Sequence, residues 1–169
     1  VLNIRDVPNE LDAKKLPKGT VSVEVRGEIY MKLSVFEAFS DTYSNPRNLT
    51  AGAVKNKDFE RSKNYRLSFY PYDIHGTPLP TEDQKFELLQ ALGFEVDRLT
   101  FPEREALQGA FDEFTDARPN LDYEIDGVVY RACRVDEQDR LGSTSHHPRW
   151  SIAYKFQGDT GVTTLNDIE

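Results

Sequence analysis

With 169 residues and 38% hydrophobic content, the chain has enough apolar material for one domain with a real core, which excludes disorder. Its 21 Lys and Arg stand against 29 Asp and Glu, and the net charge of −8 repels a polyanion at long range. Nucleic acid would therefore have to be held by a local basic patch or by other parts of a larger protein. The single Cys133 excludes an internal disulfide or a cysteine-built zinc site. With no signal peptide and no apolar run of membrane-spanning length, the composition points to the cytoplasm and to no membrane.

Pro8 and Pro17 break up the first stretch. Val21 to Met31 then alternates as a strand, with Val21, Val23, Val25, Ile29 and Met31 on one face and Ser22, Glu24, Arg26, Glu28 and Tyr30 on the other. Arg26 and Glu28 share a side, which suits a surface ion pair. Gly27 lies between them on the inner face, where a missing side chain permits close approach of a neighbour. Ser34 is a candidate cap for a short helix bearing Val35, Phe36 and Phe39. Asn45, Pro46 and Asn48 favour a turn, and Leu49 to Val54 a small-residue helical turn. Between Lys55 and Arg66 five basic residues face two acidic ones, with Phe59 and Tyr65 interleaved. This locally basic stretch fits either a solvated loop or a phosphate-backbone surface.

Leu67 to Ile74 reads as a strand that Pro71 confines to an edge. Thr81 and Gln84 form a capping-box pattern for a helix bearing Phe86, Leu88, Leu89 and Leu92, stopped by Gly93. Phe94 and Val96 suggest a short strand. A second helix follows Pro102, with Leu107, Phe111 and Phe114 on its apolar side, and ends before Pro119. Two β-patterned runs come next, DYEIDGVVYRA and RWSIAYKF, joined by a polar link, and Val162 to Ile168 offers a last strand. The fold class is α+β, with mixed, largely antiparallel sheets and flanking helices. Glu124, Asp126, Arg131 and Lys155 sit among residues that want burial, so they face solvent or line a pocket, because unpaired burial would cost several kcal/mol. His146 and His147 read as loop residues and Cys133 as a small buried hydrophobe.

VRGEIYM, NPRNLTAG, EIDGVVYR, QDRLGSTSHHPRW and SIAYKF, in this order and at these separations, resemble the latter part of the adenylation domain of NAD-dependent DNA ligases. The resemblance covers essentially the whole chain and implies the nucleotidyltransferase fold. It implies that Glu28 holds the adenylate ribose hydroxyl, that Lys155 meets the phosphate of NAD or AMP, and that Asp126 is the metal-associated carboxylate. Arg47 is then a phosphate-handling arginine for the step after self-adenylation. Tyr72 lines the same cleft, and Arg131 stands on the nucleotide where the family carries a lysine. NAD and Mg2+ are the implied cofactors, and nicked double-stranded DNA is the implied partner of a monomeric enzyme.

Three departures qualify that picture. Arg131 replaces a usual lysine and Lys55 a usual arginine, which keeps charge but not geometry. Strict alternation also puts Arg131 on the face opposite Asp126. The family's nucleophilic lysine lies in a K-x-D-G motif that occurs nowhere in these 169 residues, where the only x-D-G has Glu124 in the lysine's place. Residues 1–169 are thus expected to be part of an adenylation domain without the upstream K-x-D-G, OB-fold or zinc modules, inactive alone in self-adenylation. Two other readings remain: a non-catalytic nucleic-acid-binding or scaffold descendant of the ligase fold, and an ATP-dependent ligase or capping-enzyme relative.

Overall fold

The computed structural model describes residues 4, 6–96, 102–158, 161–164 and 167, apart from the side chain of Phe59. Among these residues four strands form two separate antiparallel pairs. In the first, β1 (Glu24–Tyr30) pairs with β2 (Ser68–His75). In the second, β3 (Gly127–Arg131) pairs with β4 (Ser151–Lys155). Six α-helices accompany them among the described residues: α1 (Leu33–Phe36), α2 (Pro46–Val54), α3 (Phe59–Asn64), α4 (Glu82–Ala91), α5 (Leu107–Ala117) and α6 (Val135–Leu141). The α+β expectation holds, and no described helix is long and apolar enough to cross a membrane.

Two clusters of buried side chains lie side by side against the first sheet, with Phe69 of β2 packed against both. Ile4, Met31, Leu49, Ala53, Tyr65 and Leu67 form one, with α2 supplying Leu49 and Ala53 from its buried face. Ile74, Phe86, Leu88, Leu89, Leu92 and Phe94 form the other, and these include the four apolar positions expected of α4. Gly93 ends that helix in a left-handed conformation, φ 94°, where an L side chain would be strained. The close approach expected at Gly27 is real, because a Cβ there would collide with the Phe69 ring and the Tyr70 carbonyl. At the same point the β1–β2 register slips. Arg26 pairs with Asp73 but Gly27 with Pro71, so Tyr72 is an extra, bulged residue.

Several local expectations need correction. The first strand starts at Glu24 and not at Val21, which is 98% exposed, because its partner strand ends at His75, opposite Glu24. Ser34 does not cap α1. The cap comes from 88 residues away, where Asp122 accepts from the Ser34 N–H at 2.8 Å and the Ser34 hydroxyl at 2.7 Å. Thr81 occupies the N-cap position of α4 but makes no side-chain cap hydrogen bond. Residues 94–96 carry no strand, and neither do 161–164 and 167; the rest of the strand expected over Val162 to Ile168 lies outside the described residues. The polar link holds α6, and Cys133 is exposed.

Candidate functional site

The β3–β4 pair has two unlike faces. Directly opposed residues of an antiparallel pair project to the same side, so Val128 and Tyr154, and Tyr130 and Ile152, share one face. Helix α5 touches one part of it, while Ile152 stays 69% exposed. The Phe111 ring lies 4.4 Å from that of Tyr154 and stacks at 5.1 Å on Phe156, and the Tyr130 hydroxyl donates to the Leu107 carbonyl at 2.8 Å. Arg118 closes the end of the stack, 5.3 Å above the Phe156 ring.

The other face carries Gly127, Val129 and Arg131 opposite Lys155, Ala153 and Ser151. Gly127 is needed there, since a Cβ would stand 2.5 Å from the Tyr154 carbonyl and 2.9 Å from the Lys155 Cα. The missing side chain lets Lys155 Nζ reach Asp126 Oδ2 at 2.8 Å, while the Asp126 carbonyl accepts from the Phe156 N–H at 3.0 Å. The pair is open to water, with Lys155 60% and Asp126 76% exposed. The hydrogen bond from Lys155 is the largest influence lowering the Asp126 carboxyl below its ordinary range; partial burial opposes it, and the charges of Lys155 and Arg47 add to it. Arg47 thus acts on the same carboxylate from the first turn of α2, where Asn45 caps the helix and leaves Arg47 exposed.

Glu28 is exposed in the middle of β1, but the ion pair expected between it and Arg26 is not formed; Arg26 Nε bonds Glu24 Oε1 at 2.5 Å. The segment leading to Asp126 is fastened to the end of β1. Tyr30 packs edge-on against Tyr123 at 5.4 Å, and the Leu33 N–H donates to the Asp122 carbonyl at 2.8 Å. Tyr72, at the bulge, keeps its side chain 41% exposed.

Arg131 stands apart from the Asp126–Lys155 pair because it lies at the other end of β3, although it shares a face with Lys155. Its guanidinium donates to the Tyr72 carbonyl at 2.6 Å and Asp73 Oδ2 at 2.8 Å, lies 3.1 Å from Glu82 Oε2, and sits 5.0 Å over the Trp150 ring. Lys85 completes a buried network, 3.3 Å from Asp73 and 2.9 Å from Glu82, and Gln138 of α6 donates to Glu82 at 2.9 Å. Sequence reasoning missed this network. The signal available was three charges, Asp73, Glu82 and Lys85, within elements otherwise patterned for burial. It also missed Val129, which is 59% exposed beside Lys155 on the open face.

Among the described residues no group of three or more His, Cys, Asp or Glu is placed to hold a metal. The face instead combines exposed cations, one ionised carboxylate and an apolar strip. That combination suits a phosphorylated ligand with a flat apolar part more than a metal cage.

Comparison with known proteins places the chain in a family. A "DNA ligase" from Agrobacterium fabrum is 36% identical over 187 aligned positions, spanning 100% of this chain and 25% of the relative. One from Bradyrhizobium sp. is 37% identical over 184 positions with the same coverage, and one from Hyphomonas neptunium is 36% identical over 177, covering 97% of this chain. The chain therefore spans about a quarter of the length of the curated relatives it matches. The family model described as NAD-dependent DNA ligase adenylation domain matches residues 1–159, the span that holds both sheets, the Asp126–Lys155 pair and the bulge at Tyr72. On motif order, fold and these matches together, the chain belongs to the NAD-dependent DNA ligase adenylation-domain family.

Proposed function

We propose that this chain forms the adenylate-holding wall of an NAD-dependent DNA ligase, which takes AMP from NAD, passes it to a DNA 5′-phosphate and seals the nick. The observation that supports this reading best is the Asp126–Lys155 pair at 2.8 Å, on an exposed face that also carries Val129. Lys155 meets the phosphate, since a cation placed where negative charge develops stabilises the transferring group. Glu28 orients a ribose hydroxyl, and Arg47 handles phosphate on the Asp126 side of the face. Val129 and the exposed Tyr72 ring supply apolar surface for the base.

The donor set fits Mg2+ in one way only: as an exposed, ionised carboxylate, Asp126 would be a single protein ligand beside water and substrate phosphate oxygens. Mg2+ bound there would neutralise charge on the phosphate. The basic residues Lys55, Lys57, Arg61, Lys63 and Arg66 are all exposed, around and along α3, and would touch the backbone of nicked DNA.

Titrating the 15N-labelled chain with AMP tests the wall. Amide shifts clustered at Asp126–Val129 and Ala153–Phe156, and lost in Lys155→Ala, are the expected result. Shifts confined to α3 or α6, or unaffected by Lys155→Ala, would remove the assignment.

A further inference from the structure

The bulge in β2 places Tyr72 where it is, and a bulge is a weak point in a two-stranded ladder. A slip of one residue would carry Tyr72 to the opposite side of the sheet. The structure fastens this point from outside the ladder. Arg131 reaches across from β3 with two nitrogens, one to the Tyr72 carbonyl at 2.6 Å and one to Asp73 at 2.8 Å, and Glu82 lies 3.1 Å from the first. The Trp150 ring, 5.0 Å away, covers the flat side of the guanidinium, leaving the side chain 16% exposed. The two sheets are thus tied together at the Arg131 end of the β3–β4 face, while the end with Lys155 and Asp126 stays open.

We propose that Arg131 is a positioning residue: it locks the Tyr72 bulge and fixes the closed end of the cleft, and it does not itself touch the nucleotide phosphate. The proposal rests on the nucleotide reading given above for the functional importance of Tyr72, but the lock itself is a structural claim. A lysine cannot replace it, because a single ammonium cannot hold a carbonyl and two carboxylates while lying flat on an indole. Asp73 and Glu82 also bind Lys85, so the lock is continuous with the buried core of α4.

The test uses Arg131→Lys, which keeps the charge, and Arg131→Gln, with melting curves to confirm folding. In the 15N-labelled chain, Arg131→Lys is expected to shift and speed the hydrogen exchange of amides 72–74 and to alter the fluorescence of Trp150, the sole tryptophan. If these signals are unchanged, the lock is overturned whatever the function.

In the full ligase, the same variant is expected to raise KM for NAD by about tenfold with kcat little changed, as loss of ground-state placement does. In a Tyr72→Ala background it is expected to add almost nothing. A kcat loss, or a full effect that persists without Tyr72, would place Arg131 on the reacting phosphate and overturn the proposal. If the amide and Trp150 signals respond while Tyr72→Ala leaves KM unchanged, the lock stands and the nucleotide reading of Tyr72 fails.

Discussion

Lys155→Ala in the ligase carrying this chain is expected to slow AMP uptake from NAD by roughly 10²–10³-fold, the usual cost of removing one preorganised donor to a developing negative charge. The substitution should leave folding almost untouched. Lys155 is 60% exposed and Asp126, its one ion-pair partner among the described residues, is 76% exposed, so the lost pair contributes at most about 1 kcal/mol. Activity and stability therefore separate cleanly at this position. Lys155→Arg should recover only part of the rate, because a planar fork does not occupy the place of a point donor. Single-turnover formation of the enzyme–AMP species measures the effect; a loss of less than threefold would mean that Lys155 does not meet the phosphate.

Asp73→Ala is expected to do the opposite, unfolding the domain more easily from a position with no proposed contact to the ligand. Asp73 is buried and within 3.3 Å of both Arg131 and Lys85, and its removal leaves two buried cations sharing Glu82. Breaking a buried pair from one side costs roughly 3–5 kcal/mol, here nearer the lower end because Glu82 stays. At about 2–4 °C per kcal/mol, Tm should fall by roughly 6–12 °C. The exposed Arg134–Asp136 pair is the control, and Asp136→Ala should cost under about 1 kcal/mol.

Acid should act in the same direction. Burial alone would raise the Asp73 carboxyl, but the charges of Arg131 and Lys85 and the hydrogen bond from Arg131 outweigh it, so the group is lowered overall. A carboxyl depressed in the folded state stabilises fully above its unfolded value, about 3.9, and loses that contribution as pH falls through the folded value. The gap in stability between the wild-type chain and Asp73→Ala should therefore narrow below about pH 4. Thermal melts across that range check it, and a gap that widens in acid would exclude the network as its cause.

How far the sequence could be read depended on which force shaped each element. Hydrophobic periodicity gave α4 with Phe86, Leu88, Leu89 and Leu92 inside, and alternation gave the cores of all four strands. Where hydrogen bonds and charge decided the outcome, no such period existed. Helix α6 has only Val135 and Leu141 as apolar residues and buries Gln138 instead, through bonds to Glu82 and the Ala132 carbonyl. The cap of α1 comes from Asp122, a contact that no local rule contains.

At the site, the motif resemblance named Asp126 and Lys155, which lie 2.8 Å apart, but not their pairing, and the surroundings of Arg131 were legible only in part. Alternation put it on the face opposite Asp126, yet Asp126 bonds Lys155 on the face that Arg131 shares, and what separates Arg131 from the pair is distance along the strand. That the face meets Tyr72 and Asp73 depends on how the two sheets pack, which no local pattern encodes.

The central claim is a division of labour: these residues hold the adenylate, and no lysine among them attacks it. An attacking lysine must be a neutral amine, whereas Lys155 serves as a cation beside Asp126 and Lys85 is enclosed by Asp73 and Glu82. Intact-protein mass spectrometry after incubation of the 169-residue chain with NAD and magnesium tests this most directly. The account predicts an unchanged mass here, and one added AMP only in a protein that also contains a K-x-D-G lysine. A stoichiometric AMP adduct mapped to any lysine of this chain would contradict it.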